Sequence, residues 1–240
     1  MPKQDRPSPE RSIAGGTQPL CRAQLWALRG ALLGLAVAVP MMALLVPAQA
    51  QRAPKAVAVE DLMKPQALPD IELGAKDAPV TIVEYASVTC PHCADFHKRV
   101  FSSLKTKYID TGKVRFILRE FPTAPQPAAI AGFMLGRCVP TDKRYGVIGA
   151  LFDKQDQWLA DGDMYEALFK VARQLGFTQE SFEKCLSDQK LMEGVEAVAL
   201  EGSKTYGVSG TPAFFVNGKS VVAGTLADLD KAIEPILAKK

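Results

Sequence analysis

The chain has 240 residues, 48% hydrophobic and 23% charged, which is enough to bury one substantial core. Its formal net charge of +3 comes from the first 29 residues, because the 24 basic and 24 acidic residues that follow them balance. This balance excludes a strongly basic binding surface, so we expect neither a nucleic-acid partner nor binding to an anionic membrane surface.

The first 50 residues have the layout of a secretory signal. A positive stretch precedes the apolar run from Ala31 to Val46, and Ala48-Gln49-Ala50 forms a small-residue cleavage site. We therefore interpret residues 1–50 as a signal peptide that is cleaved after Ala50. The alternative is an uncleaved membrane anchor, but a run of 16 residues that contains Pro40 is short against the roughly 20 needed to cross a bilayer.

The elements after the leader begin with two strands around a helix. Residues 51–79, rich in Ala and Pro, predict a loosely structured lead-in with one turn of helix near 59–64. The β-branched run 80–85 predicts a buried strand, helical spacing predicts a helix over 91–108, and 114–121 predicts a second strand. This order predicts a right-handed βαβ unit with parallel strands.

Helical patterns replace strand patterns from residue 128 to residue 206. Five helices are predicted, at 126–138, 143–154, 161–175, 178–187 and 189–206. Strands return at 213–216 and 220–222, joined by the turn Asn217-Gly218, and 228–237 predicts a final helix. The order is therefore βαβ, a helical insert, then ββα.

The motif Cys90-Pro91-His92-Cys93 lies between the first strand and the first long helix. Cys90 is thus placed at a helix N-terminus, where unpaired N–H groups and the helix dipole favour an anion, and Pro91 suits the first helical position. Such surroundings lower the pKa of a cysteine from about 8.5, and a protonated His92 acts in the same direction. The pattern predicts a nucleophilic thiolate at Cys90 and a resolving thiol at Cys93.

Two cysteines at this spacing are also half of a zinc site. A structural zinc needs two further ligands, and Cys138 and Cys185 lie 45 and 92 residues beyond Cys93 without paired spacing. His97 is the only other histidine, and we interpret it as a helix-surface residue without a chemical role. Redox chemistry without a metal is therefore favoured.

The dithiol motif, the helical insert and Gly210-Thr211-Pro212 before a late strand resemble the DsbA family of bacterial periplasmic disulfide oxidoreductases. The resemblance covers about residues 68–238. It implies an α/β, thioredoxin-like fold with an inserted helical domain, and a cis Thr211-Pro212 peptide beside the dithiol, where it binds substrate. On this basis the chain divides into a signal peptide 1–50, a lead-in 51–79, thioredoxin-domain parts at 80–127 and 207–240, and a helical insertion 128–206.

The same resemblance assigns two more residues. Glu84, six residues before Cys90, matches the buried acid that the family places under the active-site helix, where a carboxyl group suits proton exchange with Cys93. The alternative is a strand-end Glu that reaches solvent. Thr211 stands where the best-known oxidases of the family carry Val, and the periplasmic isomerases also have Thr there.

Cys138 and Cys185 remain after the dithiol is assigned. Since Cys21 belongs to the leader, the exported chain has an even number of cysteines in a compartment that permits disulfides. Both residues lie on predicted helices and resemble those of a DsbA subgroup with a second disulfide. We predict a structural disulfide between them, and the alternative is two buried free thiols.

The sequence therefore predicts a periplasmic, monomeric thiol-disulfide oxidase that acts on unfolded or newly exported cysteine-containing proteins. A membrane quinone-linked partner of the DsbB type would reoxidise it. No bound cofactor is needed, because the Cys90–Cys93 pair holds the electrons. The alternatives are an isomerase or reductase of the same fold and, from another class, a non-catalytic thioredoxin-like module that binds a metal or a partner chain.

Overall fold

A computed structural model describes residues 56–160 and 162–239. The signal peptide assigned to 1–50, its cleavage after Ala50 and the first five residues of the lead-in lie outside the described residues. Within the described ranges, every helix is too short or too polar to cross a membrane.

In this part of the chain, five strands form a mixed sheet. They are β1 Ile71–Leu73, β2 Val80–Ala86, β3 Val114–Glu120, β4 Ala213–Val216 and β5 Lys219–Val221, and they lie in the order β1-β3-β2-β4-β5. β2 and β3 are parallel, and the other neighbours are antiparallel. The predicted parallel βαβ unit is confirmed, and it places β2 at the centre of the sheet.

The helices follow the predicted order. They are α1 Val59–Leu62, α2 Pro91–Phe96, α3 Ser102–Leu104, α4 Gln126–Arg137, α5 Arg144–Asp153, α6 Gln155–Trp158, α7 Met164–Gln174, α8 Gln179–Leu186, α9 Gln189–Tyr206 and α10 Leu226–Leu237. π-Helical turns at His97–Phe101 and Lys105–Ile109 join α2 to α3 and extend it, and we call residues 91–109 the dithiol helix. A 3₁₀ turn, Thr141–Lys143, precedes α5. The five predicted helices of the insert are α4, α5, α7, α8 and α9.

The side chains of β2 alternate between two cores. Val83 and Tyr85 belong to the smaller core on one face of the sheet, while Ile82 and Ala86 belong to the larger core, which includes the dithiol helix. Because successive strand residues point to opposite faces, Glu84 lies on the face that the dithiol helix covers.

The lead-in is more ordered than the sequence predicts. β1 pairs with the outer edge of β3, and the buried Arg119 makes two hydrogen bonds to the Asp70 carboxylate, at 2.8 and 3.0 Å. Arg119 also donates to the carbonyl of Leu62 in α1, at 2.7 Å. The prediction of a loose segment is wrong here, because three residues are too few for strand alternation to be visible and the ion pair depends on a residue of β3.

The β4–β5 turn fixes the other end of the sheet. Asn217 and Gly218 have φ angles of 43° and 78°, which a two-residue type I′ hairpin turn requires. The Val57 N–H donates to the Gly218 carbonyl at 2.9 Å, and the Thr81 N–H donates to Asn217 Oδ1 at 2.7 Å. The start of the described chain, the start of β2 and this turn therefore lie together.

Cys138, which follows α4, and Cys185 in α8 are joined by a disulfide in this structure. Their sulfur atoms are 2.11 Å apart and their Cα atoms 6.0 Å apart, across a sequence separation of 47. The bond connects two helices of the insert and does not involve the dithiol helix.

Replacing both of these cysteines tests the bond. We expect Cys138→Ala/Cys185→Ala to lower the free energy of unfolding by up to about 4 kcal/mol, because the unfolded chain loses the constraint of a long closed loop. Denaturant unfolding of the two proteins measures the difference. Alkylation of the denatured wild type followed by mass analysis is the control, and free alkylation at both positions would contradict the bond.

Candidate active site

Cys90 occupies the N-terminal cap of the dithiol helix. The Cys90 N–H donates to the Ser87 carbonyl at 3.0 Å in the turn after β2, and Pro91 takes the first helical position. Cys90 has extended backbone angles, so its sulfur lies beside the unpaired N–H groups of the first turn. Cys90 is 8% exposed and Cys93 is 0% exposed. Cys90 is thus the cysteine that a partner can reach.

The two thiols are free in this structure and differ strongly in acidity. Hydrogen bonding from Cys93, assisted by Thr211 and by the backbone N–H groups of Cys93 and His92, outweighs burial and lowers the pKa of Cys90 to about 5. Burial, the hydrogen bond to Cys90 and the charge of Glu84 raise the pKa of Cys93 well above its usual range. At neutral pH the reduced pair therefore holds a thiolate at Cys90 and a protonated Cys93.

His92 stabilises the Cys90 thiolate through its backbone, whereas the sequence predicted an effect of its side chain. Its side chain is exposed, and its influence on the Cys90 thiolate comes from its backbone N–H.

Thr211 and Pro212 lie beside the dithiol. Their peptide bond is cis, and β4, which follows directly, pairs with the central strand β2. Cys90 Sγ is 3.3 Å from the Thr211 carbonyl oxygen, to which the thiol form donates. Thr211 Oγ1 is buried without a hydrogen-bond partner among the described residues, so its hydroxyl is free to donate to the thiolate form.

A groove adjoins the dithiol. Its cavity has a volume of about 510 Å³, and its lining includes His92, Phe96, Pro212, Phe214 and Val222. Val222 is 89% exposed, so a large apolar side chain stands open to solvent at this groove. A concave, mainly apolar surface next to a reactive sulfur is suited to binding part of another molecule.

Glu84 is fully buried on the dithiol-helix face of β2. This placement excludes the alternative in which its carboxylate reaches solvent. Oε2 of Glu84 lies 3.1 Å from His97 Nε2, while Oε1 has no hydrogen-bond partner among the described residues.

The prediction that His97 is a helix-surface residue is wrong. His97 is 8% exposed, and its ring stacks on Phe152 at a centroid distance of 4.1 Å and on Phe101 at 5.0 Å. Its second nitrogen, Nδ1, is 2.8 Å from the hydroxyl oxygen of Tyr145 in α5. The sequence contains one indication that His97 is buried. A residue four positions after Cys93 lies on the same helix face as Cys93.

Gln155 connects the helical insert to the dithiol. It is buried in α6, and its Nε2 donates to the Val88 carbonyl at 2.8 Å and to the Cys90 carbonyl at 3.0 Å. No motif marks Gln155 or Tyr145, so sequence reasoning did not find them. Among residues 56–160 and 162–239, no cluster of three or more His, Cys, Asp or Glu side chains is arranged to hold a metal ion.

The chain matches a known protein family over most of this fold. A family model described as thioredoxin matches residues 66–235, which is more than half of the chain. This chain belongs to the thioredoxin family.

Two solved structures identify the branch of the family. Alpha-DsbA1 of Wolbachia pipientis is 30% identical with a TM-score of 0.66, over 76% of this chain and 99% of that one. A protein-disulfide isomerase from Novosphingobium aromaticivorans is 25% identical with a TM-score of 0.61, over 72% of this chain and 98% of that one. The chain is thus a DsbA-like member with the thioredoxin-like fold and the inserted helical region.

A sequence relative carries an enzyme name. A protein of Rickettsia bellii named as a protein-disulfide oxidoreductase is 37% identical over 170 residues, which are 69% of this chain and 65% of that protein. The chain spans less than two thirds of the length of this relative. The chain is therefore similar both to DsbA structures and to a relative that is named as an oxidoreductase.

The acidity of Cys90 can be measured directly. We expect thiolate absorbance of the reduced protein to appear with a midpoint near pH 5, because the pKa of Cys90 is lowered to about 5. Cys93→Ala should raise that midpoint, since it removes the hydrogen bond that contributes most. Cys90→Ser is the control and should abolish the transition. A wild-type midpoint near the ordinary cysteine value of about 8.5 would contradict the assignment.

Proposed function

We propose that this protein is a periplasmic thiol-disulfide oxidase that introduces disulfides into exported proteins. The observation that carries the proposal is the position of Cys90 at a helix N-terminus beside the buried Cys93, which lowers the pKa of Cys90 to about 5. The helix N-terminus and the Cys93 thiol stabilise a thiolate, and a disulfide has no charge for them to stabilise. The reduced form is therefore favoured, and electrons flow from substrate thiols to the Cys90–Cys93 disulfide.

Oxidation of a substrate takes two exchanges at Cys90. A substrate thiolate attacks the Cys90 sulfur of the disulfide form, the Cys90–Cys93 bond breaks, and Cys93 takes up a proton because its pKa is high. A second substrate thiolate then attacks the mixed disulfide, which releases Cys90 as a thiolate and the substrate as a disulfide. Two electrons pass to the protein. The two substrate thiols release two protons, of which the equivalent of one is taken up by Cys93 and the other enters solvent.

The surroundings of Cys90 suit unfolded substrates. The apolar groove next to Pro212 and Phe214 offers a surface for an extended segment of a newly exported chain, and Thr211 and Pro212 would contact that segment. We further propose that the protein is a monomer, that its leader directs it to the periplasm, and that a quinone-linked membrane protein of the DsbB type reoxidises it. Similarity to DsbA proteins and the secretory layout of residues 1–50 support these assignments.

A second candidate function is disulfide isomerisation or reduction. Thr211 favours it, because the periplasmic isomerases have Thr at this position, and one structural neighbour at 25% identity is named as a protein-disulfide isomerase. The two functions share the dithiol and differ in the free energy of its reduction, so the redox equilibrium of the dithiol distinguishes them.

Serine substitutions test the roles of the two cysteines. We expect Cys90→Ser to abolish exchange with a peptide that contains a disulfide, because Cys90 is the thiolate and the more exposed of the two sulfurs. Cys93→Ser should instead accumulate mixed disulfides, because no second sulfur releases the bound peptide. Mass analysis of quenched reactions measures both results, and trapped complexes with Cys90→Ser but not with Cys93→Ser would reverse the roles.

The redox direction predicts a pH-dependent difference in stability. The folded pKa of Cys90, about 5, is below the unfolded value of about 8.5, so the stabilisation of the reduced form is fully present above pH about 8.5 and is lost as pH falls through about 5. At neutral pH, denaturant should therefore unfold the reduced protein at a higher concentration than the oxidised protein. This difference should shrink when both forms are measured below the pKa of Cys90. An oxidised form that is the more stable at neutral pH would favour the reductase alternative.

A further inference from the structure

Cys93 must exchange a proton in each reaction cycle, although its side chain is not in contact with solvent. Its side chain is buried and has no exposed surface, yet it must gain a proton when the disulfide opens and lose one when the disulfide forms again. The lining of the groove includes neither sulfur, and Cys90 is 8% exposed whereas Cys93 has no exposed surface. The proton of Cys93 therefore has to pass through other groups to reach solvent.

Three side chains form an unbroken line of contacts away from the dithiol. The charge of Glu84 acts on Cys93, and its Oε2 is 3.1 Å from His97 Nε2. His97 Nδ1 is 2.8 Å from the hydroxyl of Tyr145, which belongs to the helical insert. Oε1 of Glu84 is the carboxylate oxygen without a hydrogen-bond partner among the described residues, so it is the atom left to exchange a proton with Cys93 through one water.

The chemistry of these groups fits proton transfer in both directions. A carboxyl, an imidazole and a hydroxyl group can each accept a proton and donate one. When Tyr145 donates to His97 Nδ1 and His97 Nε2–H donates to Glu84, both hydrogen bonds are directed toward Cys93. In the other neutral tautomer of His97 both hydrogen bonds have the opposite direction, and no heavy atom moves. Phe101 and Phe152 hold the ring in this orientation by stacking.

The line ends at a second cavity. Its volume is about 320 Å³, its lining includes Tyr145, His97, Lys98, Lys105 and Asp153, and none of its residues lines the groove. Burial and the charges of Glu84 and Asp153 raise the pKa of Tyr145 well above its usual range, so its hydroxyl stays protonated. Such a hydroxyl transfers a proton by accepting one proton while it donates another. Lys98 and Lys105 are the cations in the lining of this cavity and Asp153 is its anion, while Glu84 lies buried behind His97.

From this geometry we propose that Glu84, His97 and Tyr145 form a proton relay between Cys93 and the second cavity. The relay rests on the proposed function, because it serves the proton that Cys93 exchanges in each cycle. It separates the path of the proton from the binding of substrate. Substrate binds in the groove that adjoins the dithiol, and the proton reaches Cys93 from the side of the helical insert.

Removal of the Tyr145 hydroxyl is the sharpest test. The oxidised protein is reduced with glutathione in single turnovers across a range of pH, in H₂O and in D₂O. Tyr145→Phe should slow reduction by about 10-fold to 100-fold and enlarge the solvent isotope effect, because proton delivery becomes limiting. The equilibrium constant with glutathione should change by less than about twofold, because the end states are the same.

Tyr206→Phe is the matched control. Tyr206 is 3% exposed, and its hydroxyl donates one hydrogen bond, to the Asp61 carbonyl at 3.0 Å, in the smaller core away from Glu84. It should leave the rate and the isotope effect unchanged. Equal rates and isotope effects for Tyr145→Phe and Tyr206→Phe would overturn the relay.

A second variant tests whether the groups act in one path. His97→Gln keeps hydrogen-bonding atoms but cannot carry a proton through a ring, so it should slow reduction at least as much as Tyr145→Phe. The double variant should be no slower than His97→Gln alone, because both changes interrupt one route. Independent, multiplying losses would contradict the relay. A wild type that does not exchange with glutathione at all would refute the proposed oxidase, whereas normal exchange with unaffected variants would refute only the relay.

Discussion

The difference in burial between two sulfurs in one helical turn controls the rest of the site. Cys93 is inside the larger core, where a charge is poorly solvated, so it keeps its proton and donates a hydrogen bond to Cys90. Cys90 is at the helix end, where the same negative charge is stabilised. Charge separation between the sulfurs is thus produced by position, since the residues are chemically identical.

The fold must also accommodate a carboxyl group at the centre of its sheet. An unpaired buried carboxylate is strongly unfavourable, and such groups are retained when they are hydrogen-bonded or functional. His97 satisfies one oxygen of Glu84, and the other lacks a partner among the described residues. The aromatic rings around His97 restrict that partner to one orientation. Part of the core is therefore polar at the expense of apolar packing.

Local patterns in the sequence predicted most of the fold, and long-range pairings explain what they missed. The bounds of α9 agree with the predicted 189–206, because its apolar spacing and flanking residues lie within one segment. β1 was missed because its pairing with β3 is not encoded in its own three residues. The dithiol was visible as a motif, whereas Tyr145 and Gln155 reach the site from a different part of the chain. His97 was predicted at the surface because its polar side chain gives no sign that Glu84, a strand residue, supplies a buried partner for it.

The hydrogen bond between Val57 and Gly218 fixes the segment before α1 to one end of the sheet. It lies at the end of β4 opposite Pro212, and the seven residues of β2 run between that end and the dithiol loop. Val57 and the reactive sulfur are therefore separated by roughly 20 Å of sheet. The contact stabilises the far end of the sheet without touching the surroundings of Cys90, so stability at that end and reactivity at the dithiol can vary independently.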